Sequence, residues 1–273
     1  LLKEEEMNGK RIVFGALAVM FLACSAAFAQ EEESQTQTVF ERFGMSASGD
    51  LAFNSIYIWR GIMLDGDSVV QPGFYVTTAL SEQAALKVGY WSSFDMENRD
   101  GLHSLETDLI TDFTYSLEDV ALSIGHIYYD FPGAAPLDGA PKGFSREAYL
   151  GAAFAKLPLA PSLFFYYDYG DKIDGGGEGS YTVLNLAHSV PFAIEGIGMS
   201  LDFSGHVGHN NKQYYAGKGG DAAFGVGVTI PLTAKLSCKP NVNYSIPWGS
   251  VSDKGAGNQE SRFYSGVYLS YSF

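Results

Sequence analysis

Three things are scarce in this sequence. Cysteine is the first: Cys24 and Cys238 are the two present. Cys24 falls in a segment expected to be removed, so no disulfide framework can form. Positive charge is the second, with 17 Lys and Arg against 31 Asp and Glu, a net charge of −14. A surface of that sign repels phosphate, which argues against nucleic acid as a partner. The third is a long apolar run. Beyond Gln30 no stretch approaches the ~20 residues that a membrane helix needs. If the mature chain enters a bilayer, it does so as strands.

What is present is apolar and aromatic. Hydrophobic residues make up 46% of the 273, which excludes disorder throughout. Aromatics reach 14%, with 17 Tyr and 19 Phe. Tyr suits places where an apolar body ends in a wet tip, as at a bilayer interface. Near the start, Met7-Asn8-Gly9-Lys10-Arg11 precedes an apolar run over 12–23 and then Ala27-Phe28-Ala29. A basic start, a short apolar core and small residues at the end are the parts of a secretory signal. The expectation is cleavage after Ala29, with residues 1–6 as upstream sequence. A lipobox ending at Cys24 is the alternative, with Phe21 where Leu is usual. Residues 30–43 read as a short periplasmic leader, and 44–273 as one β-barrel domain.

From Gly44 onward the chain alternates between strand patterns and links. The expected strands are 47–60, 69–80, 84–94, 104–117, 119–131, 146–156, 162–169, 180–190, 196–208, 222–231, 234–246 and 261–273. That is about twelve, most near the ~9–11 residues with which a tilted strand crosses a bilayer. The links sort by parity. Those at 61–68, 95–103, 132–145, 170–179, 209–221 and 247–260 are long and polar; those between are tight. Long loops at one end and short turns at the other predict an all-β, antiparallel, up-and-down transmembrane barrel. Both termini then share the short-turn side, the periplasm.

The last stretch shows the period of two most clearly. Phe263, Val267, Leu269, Tyr271 and Phe273 fall on one face; Arg262, Tyr264, Gly266, Tyr268, Ser270 and Ser272 fall on the other. Val267, Leu269, Tyr271 and Phe273 are expected to act as the membrane-insertion signal read by the barrel-assembly machinery. Elsewhere Leu51, Phe53, Tyr57 and Trp59, then Val88 and Tyr90, then Leu109 and Phe113, then Phe224 and Val226 are assigned to lipid. Ile56 and Ile58 fall awkwardly on the supposed inner face. On the fifth strand, parity sends either His126 or Ser123 to lipid, and the pattern does not choose.

The inner parity collects charge. Arg60 ends the first strand and Arg262 begins the last, so the two are expected side by side at the loop end of one wall. Glu147 and Asp168 fall on the wall opposite, with Glu106 between, and Lys87, Asp108 and Asp112 also face inward. A basic wall opposite an acidic one sets a transverse field that selects solutes in a narrow pore. The competing readings are pairs that merely fill the lumen, and rim charges without a role. About twelve strands leave a lumen between the filled interior of eight and the wide channel of sixteen.

Little supports an enzyme. His188 and Ser189 are adjacent on a strand and point to opposite faces. His206 and His209 are split in the same way, though Asp202 on the face of His206 leaves a metal site conceivable. Asp171, Asp174 and Glu178 match no calcium-loop spacing, and Gly175-Gly176-Gly177 opens no helix to hold phosphate. No catalytic residue, metal or cofactor is expected.

At Ser55-Ile56-Tyr57-Ile58-Trp59-Arg60-Gly61-Ile62, followed by Gln71-Pro72-Gly73, the chain resembles the TorF-type family of bacterial outer-membrane porins. Gly125-His126-Ile127-Tyr128-Tyr129-Asp130-Phe131-Pro132 and Phe165-Tyr166-Tyr167-Asp168-Tyr169 are similar in style. The resemblance rests on Tyr57, Trp59, Arg60, Gly61 and Gln71, and implies a signal peptide and a β-barrel, without a cofactor or catalytic motif. The resulting expectation is a passive outer-membrane channel for small polar solutes, in contact with outer-membrane lipid. A scaffolding or adhesive barrel and a membrane-embedded hydrolase are the alternatives. Oligomeric state is left open.

Overall fold

The computed structural model describes residues 39–97, 103–132, 143–254 and 256–273. The signal segment and most of the leader lie outside the described residues. A helical turn, α1 (Val39–Arg42), precedes β1 (Met45–Asn54), β2 (Tyr57–Trp59), β3 (Ile62–Asp65), β4 (Val69–Ala79), β5 (Ala84–Asp95), β6 (His103–Ser116) and β7 (Ala121–Phe131). There follow β8 (Gly143–Ala153), β9 (Ser162–Asp168), β10 (Gly179–Ile194), β11 (Ile197–Asn211), β12 (Lys218–Pro231), β13 (Leu236–Gly249) and β14 (Arg262–Ser272).

β1 and β4–β14 form a closed antiparallel barrel of twelve strands, in which each strand pairs with its neighbour in sequence apart from the insertion. The ends meet where β1 pairs with β14, from Ser48 opposite Ser272 to Asn54 opposite Gly266. Closure leaves no edge strand with unpaired amides, the condition for a sheet in hydrocarbon. No helix among the described residues is long and apolar enough to span a membrane.

The period of two sorts side chains as a barrel requires. On β8, Ser145, Glu147 and Tyr149 are buried while Arg146, Ala148 and Leu150 are exposed. Val88, Leu109, Ile124, Phe224, Val226 and Phe263 are all exposed on the outside. The parity question on β7 resolves: Tyr129 is buried and Ile124 exposed, so Ser123 shares the inner parity and His126 the outer. His126 meets the Tyr169 hydroxyl at 2.7 Å on that outer face.

The expected first strand, 47–60, needs correction. β1 stops at Asn54, and the next residues leave the wall. Tyr57–Trp59 and Ile62–Asp65 pair with each other as a separate two-stranded sheet inside the lumen. The turn between them, Arg60-Gly61, has φ of 50° and 76°. Two consecutive positive φ values make the tight turn that matches strand twist in a hairpin. Tyr57 and Trp59 therefore do not face lipid. Tyr57 is 8% exposed, and its ring lies 5.7 Å from the inward-facing Trp91.

Candidate functional site: a hairpin across the lumen

The hairpin tip crosses the barrel near the long-loop end. On one side Arg60 reaches β8, where its Nη1 and Nη2 donate to the two carboxylate oxygens of Glu147, both at 2.7 Å. The side chains of this pair are 9% and 0% exposed. On the other side Gly61 backs onto β12 and β13. A Cβ there would stand 2.6 Å from Cβ of Asp221 and 3.5 Å from Cβ of Pro247. Only a residue without a side chain fits against both at that backbone angle.

Arg60 has a complete shell. Gln213 Oε1 accepts a further bond from Nη1 at 2.9 Å. The rings of Trp59, Tyr166 and Tyr181 surround the guanidinium at 4.3, 4.4 and 4.5 Å. A planar cation among aromatic faces gains a cation–π attraction on the order of 0.5–2 kcal/mol. Glu147 is held as fully. The Tyr129 hydroxyl donates to its Oε1 at 3.0 Å, and Gln213 Nε2 donates to its Oε2 at 2.7 Å.

Lower on the hairpin, the Tyr57 hydroxyl donates to Glu106 at 2.8 Å. Asp108, two residues on, shares that inner face beside Glu106, and its buried Oδ1 has no hydrogen-bond partner among the described residues. Asp112 accepts from the Tyr149 hydroxyl and from Thr114. Lys87 stands opposite Asp112 in the β5–β6 register and is half-buried. Asp168 pairs with Glu147 in the β8–β9 register and accepts from Ser145 Oγ at 2.7 Å and from the Gly170 amide at 2.9 Å. Burial first, and then the Asp168 charge, push the pKa of Tyr214 in the β11–β12 link well above the ordinary phenol value. Tyr214 therefore stays neutral over this site.

Arg60 and Arg262 do not share a wall. Arg60 has crossed to the acids, while Arg262 stays on β14, 3.7 Å from the exposed Glu260. Asp202 is not paired with His206. It accepts from Ser189, Ser200 and Thr229 and lies 3.2 Å from the Lys239 ammonium. His206 instead meets Asp221 at 2.7 Å, and Tyr181 donates to the other oxygen of Asp221 at 2.8 Å. Asp171 caps a short turn through the Ile173 amide. The three glycines after that turn let the chain lie where a Cβ at Gly176 would collide with the Gly170 carbonyl.

Gln71 lies at the base of the hairpin, accepting from Asn54 at 2.8 Å and donating to Ser93 at 3.1 Å. Gln213 was not singled out from the sequence. It is fully buried although it belongs to a link, and Asn210 holds its backbone at both ends. The available signal was a link that carries two adjacent tyrosines, Tyr214 and Tyr215, beside a glutamine.

Two cavities flank the hairpin. One of about 150 Å³ lies on the long-loop side among Trp59, Ile62, Tyr129, Phe131 and Tyr214. The other, about 400 Å³, lies between the hairpin and the wall formed by β11–β14, β1 and β4.

Several solved structures are similar at low identity. An outer-membrane channel from Pseudomonas putida F1 is 12% identical over 89% of this chain and 99% of its own, with a TM-score of 0.48. LpxR from Salmonella typhimurium is 11% identical over 83% and 100%, with a TM-score of 0.48. The NanC porin is 10% identical over 82% and 98%, with a TM-score of 0.47. No functionally curated protein matches the sequence. The TorF-type likeness remains a resemblance; the architecture it implied, a closed outer-membrane-type barrel, is the one observed. A family model described as "Bacterial protein of unknown function (Gcw_chp)" matches residues 42–237, and the chain belongs to that family.

Proposed function

We propose that the protein is a passive outer-membrane channel for small polar solutes, whose long-loop mouth is closed by the β2–β3 hairpin. One observation carries this reading. The hairpin pairs with itself and not with the barrel sheet, so it can leave without opening the cylinder. Its tip is held by side chains, above all the Arg60–Glu147 pair. The lumen it closes is lined by polar groups, as a water-filled passage requires. The TorF-like residues Tyr57, Trp59, Arg60 and Gly61 all fall on this hairpin, which supports reading that motif as a plug.

The same reading puts both termini in the periplasm and outer-membrane lipid against the apolar belt. Val267, Leu269, Tyr271 and Phe273 are the face offered to the assembly machinery. It assigns no catalysis: Ser189 is engaged with Asp202, and the neighbouring His188 points the other way.

The test is conductance in a planar bilayer, with liposome swelling beside it. Wild type is expected to show rare or small openings. Arg60→Ala is expected to raise open probability and to change ion selectivity. Identical traces from the two proteins would sink the channel reading. The complete shell of Arg60 favours a second reading, a sealed barrel that works through its loops. A variant that stays closed after losing Arg60 would support it.

A further inference from the structure

We infer that the 400 Å³ cavity beside the hairpin is a binding subsite for a neutral, polyhydroxylated solute of mono- to disaccharide size. This rests on the channel reading for its access route, but not for its chemistry. The volume lies within the ~300–1,000 Å³ typical of small-molecule sites.

The lining chemistry is specific. Asn54, Gln71, Asn241 and Asn243 bring four amides to one cavity. Each amide presents a donor and an acceptor, which matches a hydroxyl that must do both. Part of that capacity is spent on neighbours. Asn54 donates to Gln71 at 2.8 Å, and Asn243 donates to Asn241 at 2.7 Å. These bonds fix the amides in place, with the Asn54 oxygen lying over Gly266 and the Asn243 oxygen over Gly225 at the cavity wall. Tyr264 and Tyr268 add two phenol groups, neither of whose hydroxyls is bonded to another described side chain.

Charge is cancelled here. Lys239 and Asp202 are the charged lining residues, and they stand 3.2 Å apart. A site for an anion or a cation would leave one sign uncompensated. The hairpin adds Ile56 and Ile58 to the lining, an apolar complement to the amides. A sugar has this same division, hydroxyls around the edge and C–H groups on the faces. The glycines of β12 let these side chains lie flat on the wall: a Cβ at Gly225 would collide with Asn243, and one at Gly227 would stand 2.8 Å from Lys239 Cε.

The experiment is calorimetric titration of the purified full chain in detergent with sucrose, with sorbitol as a second neutral probe and sodium gluconate as a charged one. Saturable binding of sucrose or sorbitol, with gluconate at least roughly ten-fold weaker, is the expected result, because gluconate's carboxylate would find no free cation. Asn241→Leu with Asn243→Leu should weaken the neutral probes by about ten-fold or more. If that double variant does not fold, Tyr264→Phe serves, with an expected loss of about three-fold. Absence of saturable binding, equal binding of gluconate, or unchanged affinity in the folded variant overturns the proposal. The two readings fail separately. Sucrose-driven swelling without saturable binding would leave the channel and remove the subsite. Saturable binding without permeation, even in Arg60→Ala, would leave the subsite and remove the channel.

Discussion

The two halves of the lumen come from one sheet and handle polarity in opposite ways. The β6–β10 wall carries Glu106, Asp108, Asp112, Glu147 and Asp168, all buried, under a layer of tyrosine rings. The β11–β14 wall carries amides, glycines and two carboxylates matched by close neighbours, Asp202 by Lys239 and Asp221 by His206 and by Tyr181 of β10. A buried carboxylate needs a cation or several donors. The acidic wall meets that need by drawing a guanidinium across the barrel, and the hairpin comes with it. The amide wall meets the same need from side chains already beside its carboxylates, so space remains in front of it. Where the lumen is filled and where it is hollow follows from which wall has unmatched charge.

The largest effect should come from breaking the acidic half. Glu147→Ala leaves Arg60 buried without its counter-ion, and losing one partner of a buried pair costs about 3–5 kcal/mol. Chemical denaturation in detergent measures this, and protease cleavage within 55–68 reports hairpin release. Adding Arg60→Ala to Glu147→Ala should cost little more, since the orphaned charge is then gone. On the other wall, Asn241→Ala should cost about 0.5–1.5 kcal/mol, the worth of an ordinary hydrogen bond. Equal costs on the two walls would refute the contrast.

Next in size is Gly61→Ala, which attacks the hairpin without removing a charge. Its φ of 76° disfavours a side chain, and the new Cβ would press on Asp221. Strain of this kind costs about 1–3 kcal/mol. Thermal melting should show the loss, and channel openings should increase in the way expected of Arg60→Ala. A melting point unchanged from wild type would mean that the tip does not bear on Asp221.

The barrel was legible because its two signals repeat along the chain. Alternation gave each wall its faces, and link parity gave the ends. The hairpin was not, because 47–60 reads as one continuous strand rich in β-formers. Its trace was the misfit of Ile56 and Ile58 on the supposed inner face. That misfit marks the point after Asn54 where the chain leaves the wall, and both residues now line the cavity. Glu147 and Arg60 were both picked out as lumen charges but placed apart. Their contact spans 87 positions and exists only once the barrel closes. Gln213 was hidden for the same reason, since burial of a link residue is set by what folds over it.

The smallest predicted effect lies on the amide wall. Lys239→Met removes a cation whose side chain is 40% exposed, from a partner that is 11% exposed. Pairs with one solvated member contribute about 0–1 kcal/mol. Asp202 keeps its bonds from Ser189, Ser200 and Thr229, so it is not left bare. Stability should therefore barely move in a melting experiment. The cavity, however, acquires a net negative charge, and a pore with such a lining should favour cations more strongly in reversal-potential measurements. A fall in stability as large as that of Glu147→Ala would show that the two walls depend on charge alike, and the division between a filled half and a hollow half would then need another cause.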